Sequence, residues 1–214
     1  MAPVLKRAPD GSFENLLERA ASVILAGGAL AYPTETFYGL GVDAWNEAAV
    51  ERLFAIKGRG FNHPVSVIIG SADQLPGLVG SVPEAAQKLM DAFWPGPLTI
   101  VFPASKGVSA RLTAGTGRIG IRLSGHEFAR RLALKAGRPI TATSANLSGA
   151  PECREADAVQ DQIGDRIDAV VDLGEKGGPV GSTIIDATGD KPVILRPGRV
   201  SREEIERKTG LQTR

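Results

Sequence analysis

One cysteine, Cys153, is all the thiol chemistry in this chain of 214 residues, and a lone thiol excludes an internal disulfide and any cysteine-built metal centre. It reads as a small ordinary side chain in a protein of the reducing cytoplasm. An excess of one charge is also missing. With 25 Lys and Arg against 24 Asp and Glu, no global field recruits nucleic acid, and any phosphate recognition has to be local. No apolar run resembles a signal peptide or a membrane span, so the sequon Asn146-Leu147-Ser148 has no route to glycosylation. No HExxH or His-Cys pattern offers a metal site, and no G-x-S-x-G offers the strained elbow of a serine hydrolase. The glycine clusters at Gly115-Thr116-Gly117 and from Gly174 to Gly181 lack the following Lys-Ser or Lys-Thr, so neither is a Walker loop.

What is present is polar chemistry at the ends of apolar elements. Tyr32-Pro33-Thr34-Glu35-Thr36-Phe37-Tyr38-Gly39-Leu40-Gly41 closes an apolar strand with a proline that cannot continue the ladder, which exposes Thr34 and Thr36 on a loop. Lys57-Gly58-Arg59 ends an amphipathic helix built on Val50, Leu53, Phe54 and Ile56. Thr141-Ala142-Thr143-Ser144-Ala145-Asn146 follows a further apolar strand start with small hydrogen-bonding groups. Lys57, Arg59, Arg122 and Arg196 supply positive charge suited to anionic substrates. Thr34, Thr36, Ser144, Asn146, Ser182 and Thr183 supply neutral donors and acceptors. Taken singly, each is a surface charge, a cap or a turn residue; only together do they indicate a site. Trp45, Phe93 and Trp94 read as packing aromatics, Tyr38 as either packing or site, and the charged run from Arg202 to Arg207 as a solvated helix face.

Periodicity predicts a helix from Ser12, its cap, to Ala26, and further helices over Glu47–Ile56, Pro83–Phe93, Glu127–Ala136 and Glu155–Ile163. A capping box at Ser201-Arg202-Glu203-Glu204 starts the last one. Strands are predicted over Ala29–Tyr32, Val65–Ile69, Leu98–Phe102, Ile119–Leu123, Ile140–Thr143, Ala169–Leu173, Thr183–Asp186 and Val193–Leu195. This order favours an α/β fold with an open, twisted, mixed sheet. With no repeat or linker, one domain over residues 1–214 is expected.

The spaced segments together resemble the YrdC-like family of L-threonylcarbamoyladenylate synthases: its PTET-YGLG loop, K-x-R pair, arginine in an IR strand and S-x-N fall at Thr34, Thr36, Tyr38, Gly39, Lys57, Arg59, Arg122, Ser144 and Asn146. The likeness continues through Gly181-Ser182-Thr183 and Leu195-Arg196-Pro197-Gly198. It departs at Gly60-Phe61-Asn62-His63, where the family usually has proline after the arginine, at Ile68 and Ile69, where a histidine is common, and at Leu123-Ser124-Gly125-His126-Glu127; His126 reads as a helix start.

The resemblance implies a YrdC-like fold with a central basic cavity, in the minimal form without a C-terminal extension domain. It implies a nucleotidyltransferase that joins L-threonine, bicarbonate and ATP into threonylcarbamoyl-AMP and pyrophosphate. That product feeds the partners that modify the adenosine beside the anticodon of tRNA. Lys57, Arg59, Ser144 and Asn146 are the catalytic candidates; Thr34, Thr36, Arg122 and Ser182 would bind substrate; Arg59, His63, Arg118, Ser144 and Arg196 would bind nucleotide. Magnesium would be held mainly by ATP oxygens, with no dedicated protein ligand. Two other readings stay open: a non-catalytic module for structured RNA, and a carbamoyl-adenylate domain of the hydrogenase-maturation type, which normally sits in a longer chain with zinc-finger and acylphosphatase segments.

Overall fold

The computed structural model describes residues 1–8, 13–58, 60–174 and 176–214. In chain order, β1 (Val4–Lys6) leads to α1 (Phe13–Leu25), β2 (Leu30–Tyr32), β3 (Gly39–Gly41), α2 (Glu47–Lys57) and β4 (Val67–Ile69). After a 3-10 turn at Ala72–Gly77 come α3 (Glu84–Phe93), β5 (Leu98–Pro103), α4 (Ala110–Thr113), β6 (Arg118–Leu123) and α5 (Glu127–Ala136). The chain then runs through β7 (Ile140–Thr141), β8 (Thr143–Ser144), α6 (Ala156–Ile163), β9 (Ala169–Asp172), β10 (Thr183–Asp186), β11 (Val193–Arg196) and α7 (Arg202–Thr209). No helix among the described residues is long and apolar enough to cross a membrane. The expected cap at Ser12 lies outside the described residues.

The mixed α/β class holds, but the strands form two sheets where one was expected. Five strands run in the order β1-β9-β2-β3-β8 and six in the order β11-β10-β5-β6-β4-β7, both with parallel and antiparallel pairs. The division falls inside the strand predicted over Ile140–Thr143. β7 pairs with β4 in the second sheet, whereas β8, two residues on, pairs with β3 in the first.

Thr141 joins the sheets. Its hydroxyl accepts from Val42 N at 3.0 Å and donates to Leu40 O at 3.1 Å, and its carbonyl accepts from the Tyr32 hydroxyl at 2.9 Å. All of these groups are buried, so each bond satisfies a polar atom that water cannot reach. The Tyr32 ring crosses β3 so closely that a Cβ at Gly39 would stand 2.9 Å from Tyr32 Cζ, and one at Gly41 2.7 Å from Tyr32 Cε1. The Gly39-Leu40-Gly41 pattern is therefore a packing requirement. Two apolar clusters flank the sheets. One holds Leu16, Leu17 and Ile24 of α1 against Phe128 and Leu132 of α5, and the larger holds Leu53 and Phe54 of α2 with Ile100, Phe102 and Ile121. Phe93 belongs to that larger core, and Trp45 and Trp94 pack against it as expected.

Candidate active site

A cavity of about 210 Å³ opens where the two sheets meet, lined by the β2–β3 loop, β5, β6, the β8 end, β10 and β11. Thr34, Thr36, Tyr38, Arg122, Ser144, Ser182 and Arg196 all contribute to its wall. Lys57 and Asn146 line an adjoining recess of about 510 Å³, which shares Ser144 and Glu152 with the cavity. Thus residues spread from 34 to 196 in the sequence converge on two adjoining spaces.

The β2–β3 loop folds on its own hydroxyls. Thr34 Oγ1 accepts from Thr36 N at 3.1 Å and donates to Phe37 O at 2.7 Å. Its one proton is thereby used, so the 2.9 Å contact between the two hydroxyls has Thr36 as donor. Thr36 Oγ1 is left with lone pairs, and one accepts from Arg122 Nη1 at 3.1 Å. Arg122 is only 5% exposed, and its Nε has no hydrogen-bond partner among the described residues. A buried guanidinium nitrogen in that condition costs free energy unless a ligand accepts from it.

Across the cavity Arg196 donates from Nη2 to Ser182 O at 2.7 Å and to Ser182 Oγ at 3.1 Å, and Ser182 Oγ lies 3.0 Å from Thr99 Oγ1. Loss of surrounding water and repulsion from Arg122 both lower the pKa of Arg196. Two guanidinium groups facing one space create a positive region that a carboxylate or phosphate relieves.

Lys57 comes from the last turn of α2, which Asn46 caps through Ala49 N and which Gly58 stops in the left-handed region, with φ of 63°. Although a lysine here ordinarily reaches solvent, Lys57 is 3% exposed. Its ammonium donates to Ser144 O at 2.6 Å, Asn146 O at 3.0 Å and Asn146 Oδ1 at 3.0 Å. Asn146 Oδ1 also accepts from Ser144 Oγ at 2.7 Å, and Asn146 Nδ2 donates to Ala150 O at 2.6 Å. Lys57 therefore shapes the Ser144–Asn146 turn as well as charging the recess.

The remaining expectations fall elsewhere. Arg118 lies in a more apolar cleft of about 540 Å³ beyond Ile184 and Arg196, where it pairs with Asp186 at 2.7 Å. His63 is exposed, next to Pro64, which does line the cavity. Arg59 lies outside the described residues. His126 stands at the N-cap position of α5, as its sequence position suggested, without a side-chain capping bond. Cys153 is buried, and desolvation pushes its thiol up to about 11, which makes it unreactive. Among the described residues no cluster of three or more His, Cys, Asp or Glu is placed to hold a metal ion. The cavity also takes in Thr143, part of the polar segment the sequence singled out, and Ser66, Thr99 and Glu152, which sequence reasoning passed over. Thr99 carried a signal, being the polar residue in the apolar run Leu98–Phe102.

The family described as Sua5_yciO_yrdC, telomere recombination, matches residues 22–198 of the chain. The threonylcarbamoyl-AMP synthase of Pyrococcus abyssi is 44% identical over 191 residues, covering 89% of this chain and 56% of that protein. The enzyme of that name from Bacillus subtilis is 41% identical over 191 residues, 89% of this chain and 55% of that one. The chain thus spans about half the length of these curated relatives. The crystal structure of P. abyssi Sua5 complexed with L-threonine superposes with a TM-score of 0.91 at 39% identity, covering 100% of this chain and 62% of that one. Motif, cavity and architecture agree with a family match over most of the residues, and the chain belongs to the Sua5/YciO/YrdC family.

Proposed function

We propose that this chain is an L-threonylcarbamoyladenylate synthase, which joins L-threonine, bicarbonate and ATP into threonylcarbamoyl-AMP and pyrophosphate for tRNA modification beside the anticodon. The threonine amine condenses with bicarbonate to a carbamate with loss of water. A carbamate oxygen then attacks the α-phosphorus, and the bond to pyrophosphate breaks. Both reacting centres are anionic, so positioning and charge stabilisation carry most of the catalysis.

One observation carries the reading above all: the buried Arg122 guanidinium lines the cavity with Nε unpartnered among the described residues and Nη1 on the Thr36 hydroxyl. In this reading Arg122 with Thr34 and Thr36 takes the threonine carboxylate and hydroxyl. Lys57, Arg59, Ser144 and Asn146 act on the phosphates and carbamate. Ser182 and Arg196 close over the ligands and His63, next to Pro64 of the cavity wall, serves the nucleotide, whereas Arg118, held by Asp186 in the separate cleft, does not. Magnesium would travel on the ATP phosphates, as that ion commonly does; Glu152 is the carboxylate that lines both spaces. The two sheets would act as one catalytic domain around the cavity, in the cytoplasm, with product passed to threonylcarbamoyl-transfer partners.

The test is pyrophosphate release by purified protein with threonine and bicarbonate omitted in turn. Release should need both, and Arg122→Lys should raise the threonine KM by about tenfold or more, since a lysine cannot reproduce the two-pronged contact. Protein that ignores threonine but binds structured RNA with a steep salt dependence would move the assignment to an RNA-binding module.

A further inference from the structure

Glu35 sits between Thr34 and Thr36 in the loop that forms one wall of the cavity, yet it is absent from that wall. Its side chain turns the other way. Oε2 accepts from Ser124 Oγ at 2.5 Å and Oε1 accepts from Gly125 N at 2.9 Å. Ser124 is fully buried and is the second residue after Arg122. The carboxylate therefore bridges 89 positions in sequence, from the loop that carries the two threonine hydroxyls to the corner where β6 delivers the arginine. The other side of the loop is held as well. Arg199 Nη1 donates to Glu35 O at 2.6 Å, and a Cβ at Gly178 would stand 2.7 Å from that same oxygen.

We propose that Glu35 is a positioning residue, whose carboxylate sets the separation between the Thr34 and Thr36 hydroxyls and the Arg122 guanidinium and so determines how tightly the cavity holds its amino-acid substrate. The inference rests on the proposed reading of this cavity as the threonine site. Thr36 Oγ1 and Arg122 Nη1 are 3.1 Å apart, a contact that lengthening by an ångström would abolish. The β4–β6 ladder fixes the Arg122 backbone, while among the described residues the Thr36 hydroxyl bonds only to Thr34 and Arg122, so the Glu35 carboxylate is the side-chain tie from the loop to the β6 corner. Covalent continuity then passes any shift at Glu35 directly to the hydroxyls on both sides of it. Arg122 adds an electrostatic reason for an acid here, because its charge and the two donors outweigh the burial that would otherwise raise the Glu35 carboxyl. The Glu35 charge favours the charged guanidinium without lining the cavity itself.

The experiment compares wild type, Glu35→Gln, Glu35→Ala and Ser124→Ala in threonine-dependent pyrophosphate release, with KM determined separately for threonine and ATP. Alongside it, hydrogen exchange of residues 33–38 is followed in ligand-free protein. Glu35→Ala should raise the threonine KM by about tenfold or more, the factor associated with a charge-assisted hydrogen bond. The ATP KM and the exchange of α1 and α5 should stay near wild type, and exchange of the loop should quicken. Glu35→Gln keeps length and one acceptor and should recover most of the loss; Ser124→Ala removes one of the two ties and should fall between. If the threonine and ATP constants rise together, or the glutamine variant is no better than alanine, or the threonine KM stays unchanged, the proposal is overturned. Wild-type protein without threonine-dependent turnover would instead sink the functional reading, and faster loop exchange in Glu35→Ala would still be expected.

Discussion

Replacing Lys57 by methionine keeps the apolar stem and removes the ammonium, and with it the three hydrogen bonds it makes among the described residues. Ser144 O, Asn146 O and Asn146 Oδ1 would each lose a charged donor, and bonds of that kind contribute about 1.5–3 kcal/mol each. Two effects oppose the loss. Taking the charge out of a site that is 3% exposed returns several kcal/mol of desolvation, and water in the recess beside Ser144 and Asn146 re-satisfies part of the carbonyl demand. The net expectation is a destabilisation of about 2–3 kcal/mol. For a chain of this size that lowers Tm by about 4–12 °C. Asn146 Oδ1 would keep only the Ser144 hydroxyl, so the turn should loosen and pyrophosphate release should fall far more than threonine affinity. Differential scanning fluorimetry with steady-state kinetics measures both. A variant within about 1 °C of wild type that is still inactive would refute the reasoning, since the ammonium would then act on ligand alone.

Thr141→Val is nearly isosteric but strips the donor from Leu40 O and the acceptor from Val42 N. It should cost about 2–4 kcal/mol in urea unfolding, from two buried groups left unsatisfied. Cys153 should resist thiol reagents at pH 8 in native protein and react fully once denatured, because its pKa stands near 11; rapid native labelling would contradict its burial. For Glu35 the folded pKa is lowered, so its bonds contribute stability above the ordinary glutamate value and lose it as pH falls through the lower folded one. The difference in unfolding free energy between wild type and Glu35→Gln should be level at neutral pH and shrink below about pH 4.3. A difference that grows toward acid would show the opposite shift.

The parts that were legible in the sequence are those in which one element carries its own signal. α5 runs over Glu127–Ala136 as its periodicity predicts, and β10 matches its apolar run at Thr183–Asp186. β3 and β8 were missed because their information lies elsewhere. Gly39-Leu40-Gly41 has no strand propensity, and it is a strand because Tyr32 needs the room its glycines leave. β8 is two residues long and defined by its partner β3. The site followed the same rule. Motif spacing identified Thr36, Lys57, Arg122 and Ser182, but nothing local shows that Lys57, at a helix end, is buried rather than solvated. Its burial depends on a turn 87 residues away. Glu35 was in plain view within the motif, and its role depends on Ser124 and Gly125 arriving from β6.

Several cations away from the cavity are paired with carboxylates, whereas its two arginines are held by neutral oxygens. Arg52 meets Asp168, Arg118 meets Asp186, and Arg131 and Lys135 meet Glu14, each within 3.0 Å. Such pairs neutralise themselves and leave little field for a ligand. Arg122 and Arg196 hydrogen-bond instead to neutral oxygens, those of Thr36 and Ser182, and the Lys57 ammonium donates to the oxygens of Ser144 and Asn146. Neutral acceptors fix the direction of a guanidinium without pairing it directly to a carboxylate, as an anion site requires. Burial of the Arg196 charge, and then repulsion from Arg122, lower its pKa against the opposing pull of Glu152. A bound carboxylate and phosphate would add counter-charge at the cavity. Ligand binding should therefore stabilise the fold by more than its contact area suggests, and the gain should shrink when Arg122 is replaced by a neutral residue of similar size.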